Sequence, residues 1–331
     1  MLNIVITILY PTTFTVQIFL TENVKQLLEA LTLTTTNILI YNRNLLPLHD
    51  YLSTLDSRSQ DILQHDLLQN MVDKSTRLVR IYYLLCIGTG IINEIATFLS
   101  STQRLVYPAW FPFDWKNSET NYAIIHVYQF TGIIIGIVQS ATSNTFPALY
   151  LAALTAHIQA LAMRIRSIGS KPDKSSDENY EELITCVRDY QILTEYHLVV
   201  QNVTSYGLLL QFFATGVVTC ITAVYVLFAN GTLFDTLYLV LYLICVLLQI
   251  LMSCYYGQEL MYETSFITDA IYMCNWIEQS PQFKKILIMF MQMTQRQMVI
   301  KAGGMVVVNL SSFMSLIKSS YSLFAVLVKV T

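Results

Sequence analysis

Four hydroxyls near the carboxy terminus, Ser312, Ser315, Ser319 and Ser322, and then Val326, follow one another at alternating steps of three and four residues. On an α-helix that spacing gathers them onto one face. A helix apolar all round would face lipid, whereas a narrow hydroxyl stripe calls for a closely packed neighbour or a column of water. Both are chemistries of solvation. Nothing comparable points to bond making. The histidines His49, His65, His126, His157 and His197 are scattered, and no His-Glu-x-x-His, Cys-x-x-Cys, Gly-x-Ser-x-Gly or Gly-rich phosphate loop occurs. The chain is therefore read as a non-enzyme with no metal site and no cofactor.

The stripe needs a helix long enough to carry it through a bilayer, and the composition supplies such helices. Apolar residues make up 54% of the chain and charged residues 12%, against roughly 45–50% and about 25% in soluble domains. Mean hydropathy is +0.50. A net charge of -3, with no basic tail, excludes nucleic acid as a partner. The chain reads as an all-α integral membrane protein surrounded by lipid.

A crossing takes about 20 apolar residues at 1.5 Å rise each. Such windows lie near 2–20, 24–42, 79–100, 122–142, 206–229, 233–255 and 305–328, which makes seven transmembrane helices in a single membrane domain. Fourteen of the nineteen lysines and arginines fall in the segments between the second and third, fourth and fifth, and sixth and seventh windows or at their edges. By the excess of positive charge on inner loops, the amino terminus is cytoplasmic and the carboxy terminus extracellular. That polarity opposes a G-protein-coupled receptor, which also lacks support from any Asp-Arg-Tyr or Asn-Pro-x-x-Tyr signature. A transporter would need discontinuous helices or inverted halves, and neither is seen.

Regions 43–78, 143–205 and 256–303 keep near-helical apolar spacing, as in Leu183, Val187, Tyr190 and Leu193. They predict that the fourth to sixth helices extend into a cytoplasmic bundle. The polar stretch 169–179, with Pro172, reads as a loop. No cysteine falls in an outer loop, so no extracellular disulfide is expected. Asn230 heads a sequon in the outer turn between the fifth and sixth helices and is the glycosylation candidate; Asn309 heads another, expected to be buried in the last crossing.

Two blocks of sequence resemble insect odorant receptors. One is terminal: Ala302-Gly303, then Leu310, Ser311 and Phe313, then Ser320-Tyr321-Ser322 with Phe324 and Val326-Leu327. The other is the outer loop after the third window, where Pro112, Phe113, Asp114 and Trp115 close a proline–aromatic run that precedes Tyr122, His126 and Gln129. The resemblance extends to topology along the whole chain. A short inner loop between the fourth and fifth windows is similar to that of a ligand-tuned subunit and unlike the long insertion of the family's co-receptor.

What the resemblance implies is an olfactory receptor subunit: an odorant-gated, non-selective cation channel that assembles with co-receptor subunits as a hetero-tetramer in the plasma membrane of a sensory neuron. Its last helix would line a central pore, with the gate at Val326 and Val330 and with Lys329 beside it as a locally positive position. Small volatile odorants would bind among the outer halves of the helices, at Phe98, His126, Gln129, Tyr238 and Tyr242, with Glu94 at the rim. A gustatory-receptor-like channel is the neighbouring alternative. Lys318 would cost about 2.5–3.5 kcal/mol near the bilayer centre on insertion scales, and is expected to pair or snorkel inside its own subunit. The aromatic loop is expected to anchor at the membrane interface.

Overall fold

The computed structural model describes residues 51–56, 62–98, 105, 118–170, 174–228 and 233–330. The windows 2–20 and 24–42, the loop residues Pro112, Phe113, Asp114 and Trp115, and Asn230 lie outside the described residues.

Four long helices form the body: α1 (Ile62–Phe98), α2 (Glu119–Ser167), α3 (Ser176–Phe228) and α4 (Leu233–Tyr272). Each is long and apolar enough to cross a membrane. At 53 residues α3 extends about 80 Å, far more than about 30 Å of hydrocarbon. The chain continues through α5 (Pro281–Thr294), a hairpin of β1 (Lys301–Ala302) and β2 (Val306–Val307), and α6 (Leu310–Val330).

Helix starts follow local capping chemistry. Ser118 accepts from the Asn121 N–H at the head of α2, with Glu119 in the first turn. Ser175 and Glu178 form a reciprocal capping box, the Glu178 carboxylate accepting the Ser175 N–H at 2.7 Å. That box starts α3 at Ser176, inside the stretch 169–179 that composition reads as loop. Ser280 caps α5 with Pro281 behind it. Helix α2 ends at Ser167 with Ile168 as its cap, and the chain turns away at Gly169, whose φ of +76° few other residues adopt.

The largest core lies in the half that the sequence assigns to the cytoplasm. There Leu154, Ile158, Ile165, Leu183, Tyr196 and Phe283 are fully enclosed. In the other half, among the described residues, a separate buried cluster is formed by Tyr82, Ala141 and Cys245, and large apolar groups such as Leu84 (70% exposed) and Phe213 (74% exposed) point outward. The distribution suits a chain whose outer half is covered by lipid rather than by itself.

The last helix begins at Leu310, whereas hydropathy places its start at 305. Residues 301–307 form an antiparallel hairpin instead, pairing Lys301 with Val307 and Ala302 with Val306. Gly303 (φ 59°) and Gly304 (φ 71°) supply the two left-handed residues of its tight turn. Asn309 is not buried in the crossing; it caps α6, its side-chain oxygen accepting the Ser312 N–H at 2.8 Å.

Candidate functional site: the α6 face and the Glu94–His126 pair

Among the described residues, helix α6 packs chiefly on α3, with a smaller contact to α4. Ser320 is buried and donates to the Gly216 carbonyl at 3.4 Å, and a Cβ added at Gly216 would stand 3.2 Å from Leu316. The glycine lets the two helices approach closely. On the other side, Ser315, Ser319, Ser322 and Val326 are exposed, as is Tyr321, while Ser312 is half-buried at the stripe's edge. Lys329 and Val330 belong to α6, but their side chains lie outside the described ones.

The hydroxyls are oriented by the helix itself. Ser315 donates to the Ser311 carbonyl at 3.0 Å and Ser319 to the Ser315 carbonyl at 2.9 Å. With each proton turned back into the helix, the oxygen lone pairs remain on the exposed side as acceptors. A face of acceptors is suited to water and to cations.

Two residues fall on this face that periodicity alone did not single out. Ser311 and Lys318 are both exposed. The expectation that Lys318 pairs within its own subunit is not met: among the described residues it forms no ion pair or hydrogen bond. The reason is geometric. It lies two residues from both Leu316 and Ser320, and so on the side of α6 opposite the one packed on α3.

The second constellation joins α1 to α2. His126 Nδ1 lies 2.5 Å from Glu94 Oε1, with side chains 5% and 15% exposed. The Tyr122 ring meets the imidazole edge-on at 4.4 Å between centroids. Gln129 is buried three residues further along α2. Glu94 is thus not a hydrated rim group but the partner of a buried histidine, and its Oε2 has no hydrogen-bond partner. Tyr238 and Tyr242 stack on one another along α4 at 6.1 Å; the Phe98 side chain lies outside the described ones.

The hairpin ties α6 to both long inner helices. Ser205 Oγ donates to the Lys301 carbonyl at 2.9 Å, and the Gly303 N–H donates to the Ser205 carbonyl at 2.9 Å. Ala302 is fully buried beneath this clamp. A Cβ at Gly303 would lie 2.5 Å from Leu209, and one at Gly257 would lie 2.2 Å from the Val308 carbonyl oxygen. No signal in the sequence marks Gln201 or Ser205 for this task, because their partners are about 100 residues away.

A family model described as 7tm Odorant receptor matches residues 24–321. The chain belongs to that family. Odorant receptor 2a of Drosophila melanogaster is 29% identical over 350 residues, covering 99% of this chain and 88% of the relative. Odorant receptor 59a of the same fly is 26% identical over 351 residues, with the same coverage. The solved structure of the insect olfactory receptor OR5 from Machilis hrabei is 18% identical, with a TM-score of 0.77 over 100% of this chain and 88% of that one. The same receptor in complex with eugenol gives a TM-score of 0.76.

The chain is therefore an odorant-sensing membrane receptor of the all-α, seven-helix insect type, and not an enzyme. Of the signature residues named from sequence, Ala302 and Gly303 build the hairpin, while Ser320, Tyr321 and Ser322 divide between the packed and exposed sides of α6.

Proposed function

We propose that this receptor is an odorant-gated cation channel subunit in which the exposed face of α6 lines a pore shared among several chains. The observation that carries the reading is the exposed hydroxyl face of Ser315, Ser319 and Ser322, on which Ser315 and Ser319 turn their acceptor oxygens outward. One hydroxyl stripe cannot enclose water, but a symmetric ring of such stripes can, and an apolar ring can close it by dewetting. In this reading Ser312, Ser315, Ser319 and Ser322 line the passage, Val326 and Val330 form the gate, and Lys329 lies beside it.

The partners are small volatile odorants and co-receptor subunits of the same fold, in the plasma membrane of a sensory neuron. The seven crossings start in the cytoplasm and end outside. Odorant binds among Glu94, Phe98, His126, Gln129, Tyr238 and Tyr242, where apolar walls reward burial at about 25 cal/mol per Å² and a few polar groups orient the ligand. Binding opens the channel only so far as odorant prefers the open arrangement over the closed one.

Co-expression with the co-receptor and recording from excised patches without nucleotide tests the proposal. Odorant-evoked cation current is the expected result. Current that requires nucleotide or G protein, or substrate flux without conductance, would overturn it.

A further inference from the structure

The exposed face of α6 carries a charge as well as hydroxyls. Ser311, Ser315, Lys318 and Ser322 are all exposed and follow steps of four, three and four, so the lysine stands in line with serines before and after it. It is placed about 12 Å from the start of α6 and about 18 Å from its end, remote from either terminus. Snorkelling to an interface is therefore out of easy reach. The opposite side of the helix is occupied by α3, through Leu316 and Ser320. Among the described residues no acidic group meets the ammonium. A charge held at that depth without a partner is stable only where it meets water, and the hydroxyl row on either side of it is the surface best suited to holding water.

We propose that Lys318 is a pore-lining residue that determines conductance and ion preference, setting a ring of positive potential partway along the passage. The proposal rests on the reading of α6 as a pore wall. An ammonium about 6 Å from a passing cation in bulk-like water alters its local population about threefold, and the effect grows with the number of copies of this chain in the assembly. The lysine would make a channel of this chain alone a poor cation conductor, and co-assembly with subunits uncharged at this position would relieve the block.

The test compares Lys318→Gln, Lys318→Arg and Lys318→Cys, each co-expressed with the co-receptor, by single-channel conductance and by reversal potential in a sodium chloride gradient. Lys318→Gln should raise cation conductance about two- to fourfold and shift the reversal potential towards the sodium equilibrium value. Lys318→Arg should match the unaltered receptor. Odorant concentration–response should stay unchanged for both. Lys318→Cys supplies a readout in a folded channel: a negatively charged aqueous thiol reagent should increase current and a positively charged one reduce it. Conductance and ion preference unaltered by Lys318→Gln, or by both reagents on Lys318→Cys where Lys318→Gln does not reach the surface, would overturn the proposal. If the unaltered receptor with its co-receptor shows no odorant-gated current, the channel reading itself fails, which is a distinguishable result.

Discussion

Gln201 holds the Lys301 peptide at both ends: its Oε1 accepts the Lys301 N–H at 2.7 Å and its Nε2 donates to the Lys301 carbonyl at 2.8 Å. A side-chain amide here acts as one more strand residue, clamping the hairpin to α3 immediately before α6 begins. Replacing it with leucine removes both bonds and should weaken the docking by about 1–2 kcal/mol. Backbone hydrogen exchange over 300–308 in lipid nanodiscs should rise accordingly. Unaltered exchange in Gln201→Leu would mean that Ser205 and Gly303 hold the hairpin by themselves.

Gly257 should tolerate no side chain. A methyl there would stand 2.2 Å from the Val308 carbonyl oxygen, which is backbone and held by the hairpin. Gly257→Ala should abolish monodisperse receptor in detergent extracts judged by size-exclusion chromatography. Gly136→Ala is the control: nothing lies within 4 Å of its added methyl, and alanine is favoured over glycine inside a helix by about 1 kcal/mol. Equal behaviour of the two variants would disprove the close-approach argument.

Arg164 and Asp189 join α2 to α3 through a 2.8 Å ion pair whose side chains are 16% and 3% exposed. Removing one partner leaves a buried charge and should cost about 3–5 kcal/mol, while removing both for apolar groups should cost far less. Thermal melting should therefore place Asp189→Leu well below the native receptor and Arg164→Met with Asp189→Leu above the single variant. Additive losses would show that the pair is not coupled.

His126→Phe should strand the Glu94 carboxylate in the membrane and reduce receptor at the cell surface. Glu94→Leu combined with His126→Phe should recover most of it, since the charge then leaves with its partner. Surface biotinylation reads both. Failure of the second change to rescue the first would show that His126 matters for packing and not for the pair.

Native cysteines should not confuse thiol labelling of α6. Cys274 is 4% exposed and burial pushes its thiol up to about 11, so at neutral pH it is protonated as well as covered, and its thiolate appears only as pH rises towards that value. Cys186, Cys220, Cys245 and Cys254 are also buried, and Cys86 is partly so. In intact cells with odorant holding the channel open, an aqueous maleimide should label Ser315→Cys and Ser322→Cys but not Ser320→Cys, whose position faces α3. Labelling of Ser320→Cys alone would reverse the assigned face.

Local pattern determined much of this receptor before any contact was known. Long apolar segments with few charges specify helices for lipid, because a buried backbone in hydrocarbon must satisfy its own hydrogen bonds. A three–four spacing places Ser315, Ser319 and Ser322 on one side of a helix, because periodicity is a property of the chain alone. The family blocks of residues were legible for the same reason.

Tertiary structure decided what local period does not contain. Whether a serine stripe is buried or bare depends on where α3 lies, so Ser320 and Ser319, adjacent in sequence, part company, and Lys318 emerges exposed on the open side. Glu94 meets His126 across 32 positions, and Gln201 meets Lys301 across 100. The start of the last helix moved from 305 to Leu310 because an apolar run with two glycines turns into a hairpin once Ser205 and Gln201 are there to receive its backbone. Those partners are brought together by packing between helices, and neither hydropathy nor spacing records it.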